Sequence, residues 1–424
     1  LRFVGKNLIK LDFRELMIFK SYSSSLVVVI CSSLLISLYG CVFKENNLLN
    51  NQTSSKNQTT SNDNQLTNVR NISTAERINK ISLYLEILEE NGFSGAVLVS
   101  QNDKIIFENG YGLADRKNRI PITPKTVFDS GSLSKQFTAA AILHLEEQGK
   151  LKVEDTLAKF FHDVPSDKAK ITLHQLLTHS SGLPEYAFDS DFAKLSRQQA
   201  QKLVFKARLK TSPGTKYLYS DTGYGLLAII VEVVSGKSFQ DYLKDNLFKP
   251  ANMLNTGFYN DPQWSQVTVA HGYNNGKDFG SAAERPGPYW GLVGFGGVLT
   301  TVEDLYFWNI ALEKNLILSR TSTKKLFAPH IKENKDGKSY YGYGWVTEEI
   351  PGYGKIISHD GATDSQNAIF IKYADSNNTV VIVLSNRIDE GWFGKETFYG
   401  TQTGETLGIN ILRDNFRTLP DYAN

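Results

Sequence analysis

Two β-rich runs lie near residue 100 and three more lie beyond residue 355, and this separation is the strongest constraint on how the chain can fold. SGAVLVSQ (94–101) and KIIFENGYG (104–112) flank a polar Asn102-Asp103 turn, the pattern of a hairpin. KIISHDG (355–361), QNAIFIKY (366–373) and TVVIVLSN (379–386) follow late, the last two joined by turn residues Asp375 to Asn378. Between them, helix-like segments near 134–149, 173–178, 197–209, 222–235 and 238–247 are broken by Gly and Pro. Early and late strands share a sheet only if the middle is an insertion. The expected fold class is therefore α+β: an antiparallel five-stranded sheet flanked by N- and C-terminal helices, with a mainly helical lobe over about 130–290 and a cleft at the junction.

The N-terminal flanking helix is expected to start at an N-cap Thr74 and run to Gly92, with Ile78, Ile81, Leu83, Leu85 and Leu88 at near-helical spacing. Ahead of it, residues 42–73 are rich in Asn, Gln, Ser and Thr and too poor in apolar side chains to offset the entropy of ordering, so they read as a tether. Residues 1–41 read as a signal segment. Met17 is the preferred start, Lys20 gives a positive n-region, and the apolar run Leu26 to Leu38 is too short for a comfortable membrane span. Leu38-Tyr39-Gly40-Cys41 resembles a lipoprotein cleavage box, departing from it at Tyr39, which implies acylation of Cys41 and an exported, envelope-bound protein. An uncleaved anchor helix and an ordinary signal peptide are the alternatives.

With 46 Lys plus Arg against 44 Asp plus Glu, the formal charge of +2 provides no footprint for nucleic acid or anionic lipid. A small-molecule or peptide substrate is the expected partner, with membrane contact only through the lipid anchor. The two cysteines, Cys31 and Cys41, and the histidines His144, His162, His174, His271 and His330 show no metal-ligand spacing, so neither metal nor cofactor is expected. Gly294-Phe295-Gly296-Gly297 lacks the strand and helix that a dinucleotide loop requires and reads as a tight loop near the cleft.

Nucleophilic acyl transfer needs a hydroxyl within reach of a base. Ser132-Leu133-Ser134-Lys135 supplies both at a spacing of three, one face of a helix, and a helix start there would aim backbone N–H groups at a developing oxyanion. The buried-looking FTAAAILHLEEQG that follows fits a core helix. Ser322-Thr323-Lys324-Lys325 satisfies the same spacing, in what reads as a polar, exposed helix, and is taken as chance.

The surroundings discriminate. VFDSGSLSKQFTAAAILHLEEQGKLKVEDTL resembles the active-site helix of the class C β-lactamase, D-Ala-D-Ala carboxypeptidase and esterase family. ITLHQLLTHSSGLPEY, PGTKYLYSDTGYGLLAIIVEVVSG, FGGVLTTVEDLYFW, YGYGW and HDGATDSQNAIFI resemble its later blocks in the same order, over roughly 76–390. The resemblance implies a β-lactamase/transpeptidase-like fold, with Ser132 as nucleophile, Lys135 as base and Tyr219 as proton shuttle. It places Tyr219-Ser220-Asp221 on the family's Tyr-x-Asn element and His359-Asp360-Gly361 on its Lys-Thr-Gly element. The N–H groups of Ser132 and Ala362 would form the oxyanion hole, with Gly361 admitting the substrate backbone.

Two departures bear on substrate. Asp221 replaces an amide with a carboxylate, which either binds an amine-bearing substrate or holds Lys135 and the local backbone. His359 replaces a fixed charge with a ring largely neutral near pH 7, which weakens recognition of a substrate carboxylate. His179 reads as structural. The expectation is a serine hydrolase acting on ester or amide bonds, D-amino-acid peptides included. A β-lactamase and a non-catalytic penicillin or cell-wall sensor stand as rivals.

Overall fold

The computed structural model describes residues 73–413, apart from 288, 352–353, 391–395 and 398. The signal segment with Met17 and Cys41, and the tether up to residue 72, lie outside the described residues.

The main sheet is built from β1 (Gly95–Gln101), β2 (Lys104–Tyr111), β3 (Ile331–Lys332), β4 (Ser339–Tyr341), β5 (Val346–Ile350), β6 (Gly354–Ala362), β7 (Asn367–Tyr373) and β8 (Thr379–Ser385). Its order is β3-β4-β5-β6-β7-β8-β1-β2, antiparallel throughout. All five expected strands are present as the contiguous block β6-β7-β8-β1-β2. The sheet is nevertheless eight-stranded, because three short strands extend it at the β6 edge. Two to five residues long, with Ser, Lys and Glu among them, they carry too little alternation to be read locally.

Strand periodicity divides the core into two layers. Val97 and Val99 of β1 and Val381 and Val383 of β8 face α1 (Thr74–Glu90), whose Ile81, Tyr84, Leu85 and Leu88 form its buried stripe, together with Leu407 and Ile411 of the C-terminal helix Tyr399–Arg413. Ala96, Leu98, Val380, Ile382 and Leu384 point the other way, into the larger core shared with the helices. Helix α1 is capped one residue earlier than expected: Ser73 Oγ accepts from the Glu76 N–H at 3.1 Å.

Central to the helical side are α2 (Ser134–Glu147) and α3 (Asp221–Ser235). Residues Phe137 to Leu143 of α2 are wholly buried, which is why this run is apolar all round rather than on one stripe. Helix α4 (Val302–Glu313) brings Trp308 against Phe137, ring centroids 4.9 Å apart, and Phe137 meets Phe248 edge-on at 5.2 Å. These rings meet at Phe137, two residues beyond Lys135, and hold α2 in place.

Because Trp308 has no exposed surface, Trp308→Ala leaves a large void beside α2. It is expected to cost about 3–5 kcal/mol in a urea-unfolding experiment, with Trp308→Phe costing less.

Candidate active site

Ser132 sits in a single 3-10 turn, Gly131–Leu133, that leads directly into α2 at Ser134. The turn is tied down from several directions. Ser130 Oγ donates to the Val298 carbonyl at 2.7 Å, and Ser134 Oγ accepts from the Val298 N–H at 3.2 Å. The Gly131 N–H donates to Asp129 Oδ1 at 3.1 Å, while Tyr259 Oη donates to the other oxygen of Asp129. Burial raises the Asp129 carboxyl, and these hydrogen bonds oppose it. None of Asp129, Tyr259 and Val298 was singled out from sequence, since their partners lie far along the chain.

Lys135 reaches back one turn, so that its Nζ lies 2.8 Å from Ser132 Oγ. The same nitrogen lies 2.7 Å from Asp221 Oδ1 and donates to the Phe295 carbonyl at 3.2 Å. No part of the Lys135 side chain is exposed. Burial pushes its ammonium form down, and Asp221 works against that shift. The glycine-flanked loop at 294–297 is the tight loop expected beside the cleft, and its Gly294 carbonyl also accepts from Thr138 Oγ1 at 2.6 Å.

Tyr219 Oη lies 3.1 Å from Ser132 Oγ, on the extended segment that precedes α3. Burial, with Asp221 adding to it, keeps the phenol well above its usual range, so it stays protonated and can donate. Asp221 is the first residue of α3, where the helix dipole favours negative charge. Of the two roles left open for it, the geometry favours holding Lys135, for its side chain is only 6% exposed.

His179 is the clamp that sequence reading left among structural residues. Its backbone has φ +54°, its carbonyl accepts from the Leu218 N–H at 2.7 Å, and its Nδ1 accepts from the Ser220 N–H at 3.0 Å. Tyr219 is thus gripped on both sides, with the two rings 4.3 Å apart at 33°. Burial holds the imidazole well below its ordinary range, Lys135 and His359 adding to the effect.

Strand β6 closes the site from the sheet. Its pairing with β5 stops at Ser358, so the edge from His359 to Ala362 is turned to the nucleophile. A Cβ on Gly361 would lie 2.1 Å from the Ser130 carbonyl oxygen and 2.9 Å from the Ser132 nitrogen; one on Gly131, at φ +52°, would lie 2.7 Å from the Ala362 nitrogen. Only glycine permits this approach, which brings the Ala362 and Ser132 amides to one place. His359 departs from its expected position against substrate. The side chain is buried, its Nε2 accepts from Tyr341 Oη at 3.0 Å, and its Nδ1 donates to the Asp360 carbonyl at 2.5 Å. Both ring nitrogens are engaged within the protein.

The chance copy of the motif behaves differently. Ser322 does lie on a helix, Arg320–Leu326, but is buried rather than exposed, and Lys325 pairs with Glu146 at 2.8 Å instead of turning to the serine.

The sequence profile of the family described as beta-lactamase matches residues 82–400. The chain belongs to the β-lactamase family of serine hydrolases. Within this family it is 30% identical over 332 residues to penicillin-binding protein 4* of Bacillus subtilis, covering 73% of this chain and 71% of that one. It is 28% identical over 253 residues to the teichoic acid D-alanine hydrolase of Staphylococcus aureus, 59% of each chain. The octameric penicillin-binding protein homologue from Pyrococcus abyssi superposes with a TM-score of 0.68 at 26% identity, over 81% of this chain and 79% of that one. Penicillin-binding proteins thus resemble this chain in fold as well as in sequence.

Gly361→Ala forces β6 away from the Ser130–Ser132 turn. Displacement of about 1 Å at a reacting centre lowers turnover on the order of a hundredfold. Steady-state hydrolysis of a nitrophenyl ester by the folded variant is expected to show that loss, with circular dichroism as the control for fold.

Proposed function

We propose that this β-lactamase-family hydrolase cleaves D-aminoacyl ester or amide bonds through an acyl-enzyme on Ser132. The observation that carries the reading is the convergence of Lys135 Nζ, at 2.8 Å, and Tyr219 Oη, at 3.1 Å, on one serine oxygen beneath the open edge of β6. Lys135 in its amine form takes the Ser132 proton, directly or through Tyr219, as Oγ attacks the acyl carbon. The Ser132 and Ala362 N–H groups stabilise the oxyanion. Tyr219, resupplied by Lys135, protonates the leaving oxygen or nitrogen, and water then releases the acyl group by the reverse sequence.

Charge near the serine supports an acyl group that carries an ammonium over one that carries a carboxylate. Asp191 and Asp360 both act electrostatically on Lys135, and burial with Asp221 raises the Asp191 carboxyl to about 6. The engaged ring of His359 provides no cation for a carboxylate. A D-alanyl ester has the favoured charge, and the name of the Staphylococcus aureus relative points to the same acyl group. Export and lipid attachment at Cys41 belong to this reading.

The test compares D-alanine methyl ester, its N-acetyl derivative and a chromogenic cephalosporin. A charge-assisted contact corresponds to about ten- to a hundredfold in kcat/KM in favour of the free amine. Tyr219→Phe is expected to lower turnover of the preferred ester on the order of a hundredfold without changing the melting temperature. Faster hydrolysis of the cephalosporin than of either ester would contradict the proposal in favour of a β-lactamase.

A further inference from the structure

Lys135 Nζ has three oxygens within contact distance: Ser132 Oγ at 2.8 Å, Asp221 Oδ1 at 2.7 Å and the Phe295 carbonyl at 3.2 Å. An ammonium has three hydrogens and no lone pair, so it suits this shell: it donates to Ser132 and Phe295 and forms an ion pair with Asp221. A neutral amine fits the same shell in only one way. Neither the Phe295 carbonyl nor the Asp221 carboxylate can donate to its lone pair, so it accepts from the Ser132 hydroxyl, which is the state that can take the serine proton. One proton therefore separates a resting arrangement, in which Lys135 donates to Ser132, from a reactive one.

Asp221 favours the resting arrangement. A carboxylate 2.7 Å from Nζ, buried with it, attracts the ammonium and has no comparable attraction for the amine. The family's usual residue at this place is an amide, whose oxygen can accept the same hydrogen bond without the charge. On the reading of Ser132 and Lys135 given above, we infer that Asp221 is a positioning residue that holds Lys135 as an ammonium and so sets the pH above which Ser132 becomes nucleophilic.

Other groups around Nζ do not compensate. Tyr219 and Tyr224 present their rings, 4.8 and 5.9 Å away, and Phe295 presents its own at 5.6 Å. From β6 come Asp360 and the neutral His359, from the loop after residue 178 come His179 and Asp191, and from β4 comes Tyr341, hydrogen-bonded to His359. Asp360 and Asp191 also favour the ammonium, while the two histidines, held neutral by burial, bring no opposing charge. Among these groups only Asp221 is in direct contact with Nζ. Burial drives Lys135 towards the amine, so removing Asp221 leaves that tendency less opposed.

The rate at which an uncharged alkyl fluorophosphonate inactivates the full-length enzyme isolates this step. The Ser132 Oγ–P bond forms, the P–F bond breaks with loss of fluoride, and the serine proton passes to Lys135. Rates are measured from pH 5 to pH 10 for wild type, Asp221→Asn and Asp221→Ser, with thermal melting to verify folding. Activity needs the amine, so each rate rises with pH through the titration of Lys135. In the variants the half-rise is expected about one to three units lower, as when an adjacent opposite charge is removed, with the high-pH plateau kept. An unmoved half-rise, a rate collapsed at every pH, or failure of both variants to fold would each overturn the inference. Absence of any adduct on Ser132 in the wild type would instead defeat the reading of the site on which it rests.

Discussion

A lysine amine with no exposed surface is costly unless every hydrogen finds a partner, and in this fold the partners come from three separate stretches of chain. Ser132 belongs to the turn before α2, Asp221 opens α3, and Phe295 lies in the loop ahead of α4. Satisfying Lys135 therefore requires α2, α3 and that loop to be docked together. The second constraint is the contact of β6 with the nucleophile turn, which two glycines permit and which links this helical cluster to the sheet. The cleft lies where these two requirements meet, and its amides are fixed before any substrate arrives.

Much of this was legible in the sequence because it is local. The five strands from β6 to β2 are β-rich and apolar enough to be read as they stand, and Ser132 and Lys135 are one helical turn apart. Tyr219 and Gly361 could be placed because their flanking blocks resemble a family. What escaped was set by tertiary contact. Strands β3 to β5 are short and polar, and they are strands only because the β6 edge offers them a partner. Asp129 holds the nucleophile turn from two residues away, but its other anchor, Tyr259, is 130 positions distant in sequence. Burial of Ser322 came from packing against neighbours that no helical pattern reveals.

His359 and Asp221 show how a substitution in a shared motif can redirect a site. In a sequence, each reads as a change in what faces the substrate. In three dimensions His359 is turned inward to Tyr341 and the backbone, and Asp221 is turned to Lys135. No cation then stands at the His359 position of β6, and Asp191 and Asp360 act electrostatically on Lys135.

The central claim is that Ser132, activated by Lys135, becomes the acyl-enzyme. Its most direct measurement is peptide mapping by mass spectrometry after reaction with a fluorophosphonate probe. The adduct is expected on the peptide containing Ser132 and is expected to disappear in Ser132→Ala. An adduct found on the Ser322 peptide, or one that persists undiminished in Ser132→Ala, would contradict the account.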